Sequence, residues 1–318
     1  MTQRPKVSVI TPAYNVVPYI GQCIESVQAQ TLADWEMIIV DDASTDDTAQ
    51  VVRRYLSDPR IRFLQNERNM GAGYTRNRAL DAAQGEWIAV LDADDWFAPQ
   101  RLEKLTAFAE QMEAEMVADL QVYKTEWGSV YTVAWATHAK PPRSPRFYTP
   151  EQVIRAHPSI KPLIRAEFLR QKRIRYAEHI RKSQDYAFYM EVLIKGARFA
   201  LLPEPMYYYR VHPNTVTTRY DAIAENRKSL EYLLSLPETT PRLRTLLQRA
   251  YRRRVMLALY PEFAQAVKRG QVRQAWRVFR QSPGVLGWLL LSLPVAAYRR
   301  LFDRERMTDP WRESAPMG

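Results

Sequence analysis

The 318-residue sequence predicts an α/β protein: a mainly parallel sheet flanked by helices, with a helical and basic C-terminal extension. Three observations carry that reading. Short apolar runs rich in β-branched residues alternate with amphipathic stretches through the first 115 residues, the pattern of strands joined by crossover helices. The runs lead into polar or turn-forming residues, as strands of an open sheet do. The net charge of +11 is concentrated in one region: between Arg242 and Arg306 there are 15 Lys or Arg against Glu262, Asp303 and Glu305, a net +12, and the rest of the chain is close to neutral.

In order, strands are expected at residues 7–11, 37–41, 61–65 and 87–92, and helices at 17–30, 48–56 and 75–83. The first helix places Ile20, Ile24 and Val27 on one face, with Cys23 among them at a core-facing position. Ser44 or Asp46 is expected to cap the helix from Thr48. Two further strands follow at 116–125 and 129–135 around Gly128, then a loop at 137–150 holding four of the 21 prolines. Helical patterns at 151–156, 165–172 and 184–194 and short strands at 199–202 and 206–210 complete a domain of residues 1–220, with halves 1–115 and 116–220. Residues 221–318 form the extension, helical and basic.

Composition removes several classes of function. A hydrophobic content of 46% with 25% charged residues is ordinary for a globular protein and excludes disorder over most of the chain. The single cysteine, Cys23, excludes an internal disulfide and a Cys-rich metal site, and His138, His157, His179 and His212 lack zinc-ligand spacing. No G-x-G-x-x-G or G-x-x-x-x-G-K-[ST] signature is present, which argues against dehydrogenases and P-loop enzymes. The opening MTQRPKVSVITPAYN enters a strand pattern with no secretory signal, so a cytoplasmic location is expected. No nucleic-acid recognition motif accompanies the basic tail, so nucleic acid is not the expected partner.

Ligands of such sheets bind outside the carboxyl ends of the strands. Those ends read Thr11-Pro12-Ala13-Tyr14-Asn15, Asp41-Asp42-Ala43-Ser44 and Asp92-Ala93-Asp94-Asp95, an aromatic ring and five carboxylates along one edge. Carboxylates crowded together repel unless a cation joins them. Mg or Mn takes oxygen ligands, often only one or two carboxylates plus substrate phosphates. Asp92-Ala93-Asp94, at the end of the apolar strand WIAVLD and backed by Asp41 and Asp42, suits that role. A metal there neutralises charge on a leaving diphosphate. Helix capping explains one acid per helix; it does not explain Asp92, Asp94 and Asp95 after a buried strand.

The segments VSVITPAYN, IIVDDASTDDT, NMGAGYTRNRALDAAQGEWIAVLDADD and LLPEPMYYYRVHPNTVT occur in the order of the family 2 glycosyltransferases, which the chain resembles over the larger part of its length. The resemblance implies the GT-A fold, with residues 1–115 as the nucleotide-binding half, 116–220 as the acceptor side, and a UDP-sugar as donor. It places Pro12, Tyr14 and Asp42 around the nucleobase and ribose, with Asp42 accepting a hydrogen bond from the base, and brings Arg76 and Asn77 to the nucleotide. Asp92 and Asp94 correspond to the D-x-D metal motif, Asp94 as main ligand and Asp92 nearer the ribose, with Asp95 in support. In YYYRVHPNT, Arg210 would contact phosphate and His212 phosphate or the metal. Inverting transfer needs a base within reach of the acceptor hydroxyl. The family supplies it from a Glu-Asp pair opening a helix. Here the pair is Gln184-Asp185, which nominates Asp185 and puts the contact made by the glutamate in doubt. The C-terminal half resembles succinoglycan-type glucosyltransferases, implying glucose as the sugar; with a membrane-seeking tail, a lipid-linked oligosaccharide of bacterial exopolysaccharide assembly is the expected acceptor.

Residues 284–298, GVLGWLLLSLPVAAY, form an uncharged run of 15 with Pro294 inside and basic clusters on both sides. Spanning a bilayer takes about 20 apolar residues. The run therefore suggests an interfacial segment on an anionic membrane, at the inner face of the cell membrane, with a helix packed on the catalytic domain as the other reading. Two other function classes stand beside the transferase. A sugar-nucleotidyltransferase should show a Gly-rich loop where this chain has Thr-Pro-Ala-Tyr-Asn, and a non-catalytic carbohydrate- or membrane-binding protein has no need of Asp94 and Asp185.

Overall fold

The computed structural model describes residues 4–125, 130–132, 142–212 and 221–286. Its first half is built on β1 (Val7–Ala13), α1 (Val17–Gln28), β2 (Trp35–Asp41), α2 (Thr48–Arg53), β3 (Ile61–Gln65), α3 (Ala72–Ala82) and β4 (Trp87–Val90). The chain continues through β5 (Trp96–Phe97), α4 (Arg101–Gln111), β6 (Met116–Thr125), β7 (Val130–Thr132), β8 (Arg146–Tyr148), α5 (Pro150–Ala156), β9 (Leu163–Arg165), α6 (Ala166–Gln171), α7 (Gln184–Ile194) and β10 (Phe199–Val211). Three helices follow: α8 (Ala222–Ser235), α9 (Pro241–Lys268) and α10 (Val272–Gln281).

β2 and β4 are buried along their whole length, which is why they read as continuous apolar runs rather than alternating ones. On α1 the buried stripe is Ile20, Cys23, Ile24 and Val27, as the sequence suggests. No side chain caps this helix at Val16. Burial of each aliphatic side chain contributes about 1.5–3 kcal/mol, so the stripe outweighs a missing cap, worth about 1 kcal/mol. At the start of α2, Asp46 rather than Ser44 does the capping work, accepting from the Thr48 backbone N–H at 3.0 Å, while the Ser44 hydroxyl donates to Asp41.

The strand order is β3-β2-β1-β4-β9-β6-β10-β5, with β7 beside β6 and β8 beside β10. β1 to β4 run parallel, in the register Val7 opposite Trp35 and Trp87. Beyond β4 the sheet is mixed: β9 is antiparallel to both β4 and β6, and β10 is parallel to β6. Successive strands move outward from β1 to β3, and β4 then returns to the other side of β1. The carboxyl ends of β1 and β4 thus form the point where the strand order reverses, the place where a crevice opens.

Five elements differ from the sequence expectation, the first being β5, a two-residue strand that the sequence reading does not give. α4 was not anticipated, and it buries Leu102, Leu105, Phe108 and Ala109. β8 lies inside the expected loop, and β9 occupies the lead-in to the helix expected at 165–172. The two strands expected at 199–202 and 206–210 are one, because Pro203 and Pro205 only shift its register on β6. Of the strand expected at 129–135, residues 129 and 133–135 lie outside the described residues.

The chain divides into compact units of residues 1–248 and 249–318. α8, placed in the extension by the sequence reading, lies in the first unit and packs on α7, where the Tyr232 hydroxyl donates to Glu191 at 2.5 Å. In the second unit Leu259, Phe263, Ala266, Val278 and Val285 are buried. The apolar run at 284–298 lies outside the described residues from residue 287 onward.

Gly85 shows how closely β1 and the β4 approach are fitted. Its N–H donates to Ser8 Oγ at 2.7 Å, and a Cβ there would lie 2.4 Å from the Ser8 backbone nitrogen. Gly85→Ala is expected to destabilise the protein by about 1–3 kcal/mol or more. A urea denaturation midpoint equal to the native one would refute this.

Candidate active site

The crevice is walled first by two loops that hold each other. Asn15, at φ 54°, accepts from the Thr45 N–H at 2.8 Å and its own N–H donates to Ser44 Oγ at 3.0 Å. Tyr14 and Pro12 sit half-buried at the end of β1. Asp42 follows β2 and is buried; its Oδ1 accepts from Asn66 Nδ2 at 2.7 Å and from the Met70 N–H at 2.8 Å, and its Oδ2 from the Gly71 N–H at 2.8 Å. The carboxylate expected at the nucleobase therefore holds the loop that opens α3. Gly71 has φ 89°, a backbone conformation that demands glycine; a Cβ there would also displace the movable end of the Arg181 side chain.

The centre of the crevice is a ring of four charges. Arg76 Nη2 lies 2.6 Å from Asp92 Oδ1, and Lys161 Nζ lies 2.5 Å from Asp92 Oδ2. Lys161 Nζ is also 2.7 Å from Asp185 Oδ2, and Arg76 Nη1 is 3.2 Å from Asp185 Oδ1. The side chains of Arg76 and Lys161 are 6% and 8% exposed, those of Asp92 and Asp185 22% and 26%, so the cations lie beneath and the carboxylates face the crevice. Burial alone would push the Asp92 carboxyl up; the charges of Lys161 and Arg76 outweigh it and hold it well below the usual range. Burial likewise disfavours the Lys161 ammonium, and Asp185 and Asp92 more than reverse that.

Arg76 is thus in the site, buried against Asp92 and Asp185. Asn77 is not. Its Nδ2 donates to the Tyr176 carbonyl and its Oδ1 accepts from the Tyr176 N–H, both at 2.9 Å, so its amide ties α3 to the segment before α7. Adjacent helix residues point about 100° apart, so Arg76 meets Asp92 while Asn77 meets Tyr176. Lys161 was missed from sequence, since no motif or period marks it.

The second cluster lies at the end of β10. His212 Nε2 is 3.0 Å from Asp94 Oδ2. Asp95 is buried beneath, accepting from the Tyr207 hydroxyl at 2.6 Å and the Arg210 N–H at 2.9 Å. Burial, then the charges of Asp94 and Asp92, push its carboxyl well up. Arg210 is expected at phosphate; its Nε donates to the Asp94 carbonyl at 2.9 Å and its guanidinium sits 4.6 Å from the Trp96 ring and 4.9 Å from that of Tyr19. Trp96 stacks on Tyr208 at 5.2 Å, and Tyr19 lies 4.7 Å from the His212 ring. Tyr208 and Arg210 share one face of β10 and His212 follows its end, with Trp96 and Tyr19 interleaved, so the stack backs the His212 ring.

These contacts decide which residues suit a metal. Both oxygens of Asp92 already face cations, so Asp92, expected as a ligand, does not fit. Asp94 and His212 fit: an oxygen and a nitrogen donor converge, and the Asp94 side chain is 28% exposed. Among the described residues no group of three or more His, Cys, Asp or Glu is placed to hold an ion, so the remaining ligands would come from substrate and water.

A succinoglycan biosynthesis protein of Rhizobium meliloti, ExoO, is 32% identical over 219 residues, 67% of this chain; the chain spans 63% of that protein's length. The uncharacterized glycosyltransferase EpsJ of Bacillus subtilis is 30% identical over 67% of this chain and 63% of its own. Among solved structures, S. aureus TarS 1-349 in complex with UDP is 26% identical with a TM-score of 0.62, covering 78% of this chain and 71% of that one. Mannosyltransferase PcManGT from Pyrobaculum calidifontis, in complex with GDP-Man and Mn2+, shares the fold at 19% identity and a TM-score of 0.55, over 96% of this chain and 89% of that one. Residues 8–174 match glycosyl transferase family 2, and the chain belongs to that family, with the GT-A fold.

Proposed function

We propose that the chain is a metal-dependent, inverting hexosyltransferase that moves a sugar, glucose by resemblance, from a UDP-sugar to a carbohydrate acceptor, and that the acceptor is a lipid-linked oligosaccharide of exopolysaccharide assembly. The observation that carries the reading is the placement of Asp94 with His212 and of Asp185 with the charge ring around one sheet-edge crevice. The names of ExoO and the UDP complex of TarS support the product class and the donor. Family membership sets the sugar-nucleotidyltransferase reading aside.

In this mechanism Asp94 and His212 would hold Mg or Mn, which when bound neutralises charge on the diphosphate. Tyr14 and Pro12 flank the nucleobase, and Asp42 keeps the facing loop in place. The Asp185 carboxylate takes the proton of the acceptor hydroxyl as that oxygen attacks the anomeric carbon. The bond from this carbon to the diphosphate oxygen breaks on the opposite side, and the configuration inverts.

Two substitutions separate the halves of this reading. Asp94→Ala is expected to lose the Mn-dependent part of UDP binding in calorimetry while the melting temperature stays near native. UDP affinity that is the same with and without EDTA in the native protein removes the ion from the mechanism. Asp185→Asn should lower turnover by roughly 10²–10⁴-fold with UDP affinity little changed; loss of UDP affinity with normal turnover means that Asp185 belongs to the donor site.

The protein acts, in the same reading, as a cytoplasmic enzyme peripheral to the inner face of the cell membrane. No described helix is long and apolar enough to cross a membrane. α10 carries Arg273, Arg277 and Arg280 with no acid, and its Val272 and Trp276 are 76% and 60% exposed. Such a helix lies in an anionic interface, its charges contributing about 1 kcal/mol per residue in a salt-screened manner. The full-length protein should sediment with anionic vesicles, bind neutral ones weakly, and dissociate in part at high salt. Equal binding to both vesicle types counts against the electrostatic contribution.

A further inference from the structure

Lys161 enters the charge ring from the irregular segment between α5 and β9. With Nζ 2.5 Å from Asp92 and 2.7 Å from Asp185, one ammonium joins the D-x-D wall of the crevice to the proposed base. Its backbone is held from beneath. Arg101 Nη2 donates to the Lys161 carbonyl at 2.5 Å, and Arg101 grips Asp119 through Nη2 at 2.8 Å and Nε at 3.0 Å. The Arg101 and Asp119 side chains are 0% and 1% exposed, and the guanidinium lies 4.3 Å from the Phe97 ring and 5.2 Å from that of Tyr207. A buried pair of this kind adds little net stability, because desolvation offsets the attraction. What it supplies is position, since a planar fork fixes several contacts at set angles where a lysine offers a point charge.

We infer that Lys161 is a positioning residue for the transfer step, setting the Asp185 carboxylate against the donor side of the crevice, and that the Arg101–Asp119 pair is the brace that sets Lys161. The inference rests on Asp185 serving as the base. Without Lys161, Asp185 would keep only its contact with Arg76, at 3.2 Å the longest of the four. A displacement of the order of 1 Å at a reacting group costs about 100-fold in rate. A purely structural lysine would show in melting temperature, and a donor-binding one in UDP affinity.

The test uses the full-length protein and Lys161→Met, Lys161→Arg, Arg101→Lys and the Arg101→Lys/Lys161→Met double variant. Steady-state transfer, UDP calorimetry and thermal melting are measured for each. Lys161→Met should lower kcat by about 100-fold with donor KM and UDP affinity within about threefold of native. Lys161→Arg, still able to bridge two carboxylates, should recover most of the loss. Arg101→Lys should lower kcat by about tenfold alone and add nothing to Lys161→Met, the signature of one coupled device. Additive losses, or UDP affinity falling in step with kcat, overturn the inference. Where Lys161→Met does not fold, a native kcat in Arg101→Lys overturns it. Asp185→Asn keeps the two readings apart: normal turnover there removes the base and this inference together, whereas lost turnover there with native kcat in Lys161→Met removes the inference alone.

Discussion

Two carboxylates on one half-buried crevice repel each other, and the whole sheet edge depends on how that repulsion is answered. Asp92 and Asp185 are answered by the protein itself, through Arg76 and Lys161. At close range and an effective dielectric of about 20, a charge pair is worth roughly 4 kcal/mol. Four short attractive contacts around the ring outweigh its two longer repulsive diagonals. The elements that converge here, α3, the end of β4, the segment before β9 and the first turn of α7, are far apart in sequence. The ring gives them a common fixed point.

This has a consequence for the metal. A crevice whose carboxylates were unpaired would need a divalent ion to hold it together. Here that need is met on the Asp92 side, which leaves Asp94 and His212 as the donors for the proposed ion. Both are fixed from β10: Arg210 binds the Asp94 carbonyl, Asp95 is held by Tyr207 and the Arg210 backbone, and the aromatic stack backs the His212 ring. Along this single turn Asp92 and Asp95 are held by protein partners, and Asp94, 28% exposed, faces outward.

What the sequence revealed, and what it hid, follows from the range of each interaction. The parallel half was legible because strand and helix periods are local, and the site edge because polar residues at strand ends are local too. The partners of Asp42 and Asn77 were not legible: they include backbone groups of Met70, Gly71 and Tyr176 and the side chains of Asn66 and Glu178, which no spacing announces. Lys161 was illegible for the same reason: its partners lie 69 and 24 residues away, and Ser159, Ile160 and Pro162 around it carry no period. β10 was split in two because prolines read as strand ends, whereas a bulge absorbs them at the cost of register.

The departure at Gln184 belongs to the same electrostatic account. The family pattern has a glutamate there, and in this chain the side chain is buried, with Oε1 lacking a hydrogen-bond partner among the described residues. It packs against Gly73 of α3, where a Cβ would lie 3.0 Å from that oxygen, so position 184 is confined between the two helices that carry Arg76 and Asp185. A glutamate in that slot would be a third buried carboxylate beside two cations already matched by Asp92 and Asp185. An ionised group without a partner is far more costly to bury than an amide. Glutamine keeps the shape and leaves the ring neutral, which suits a site whose two cations are already matched in charge by its own two acids.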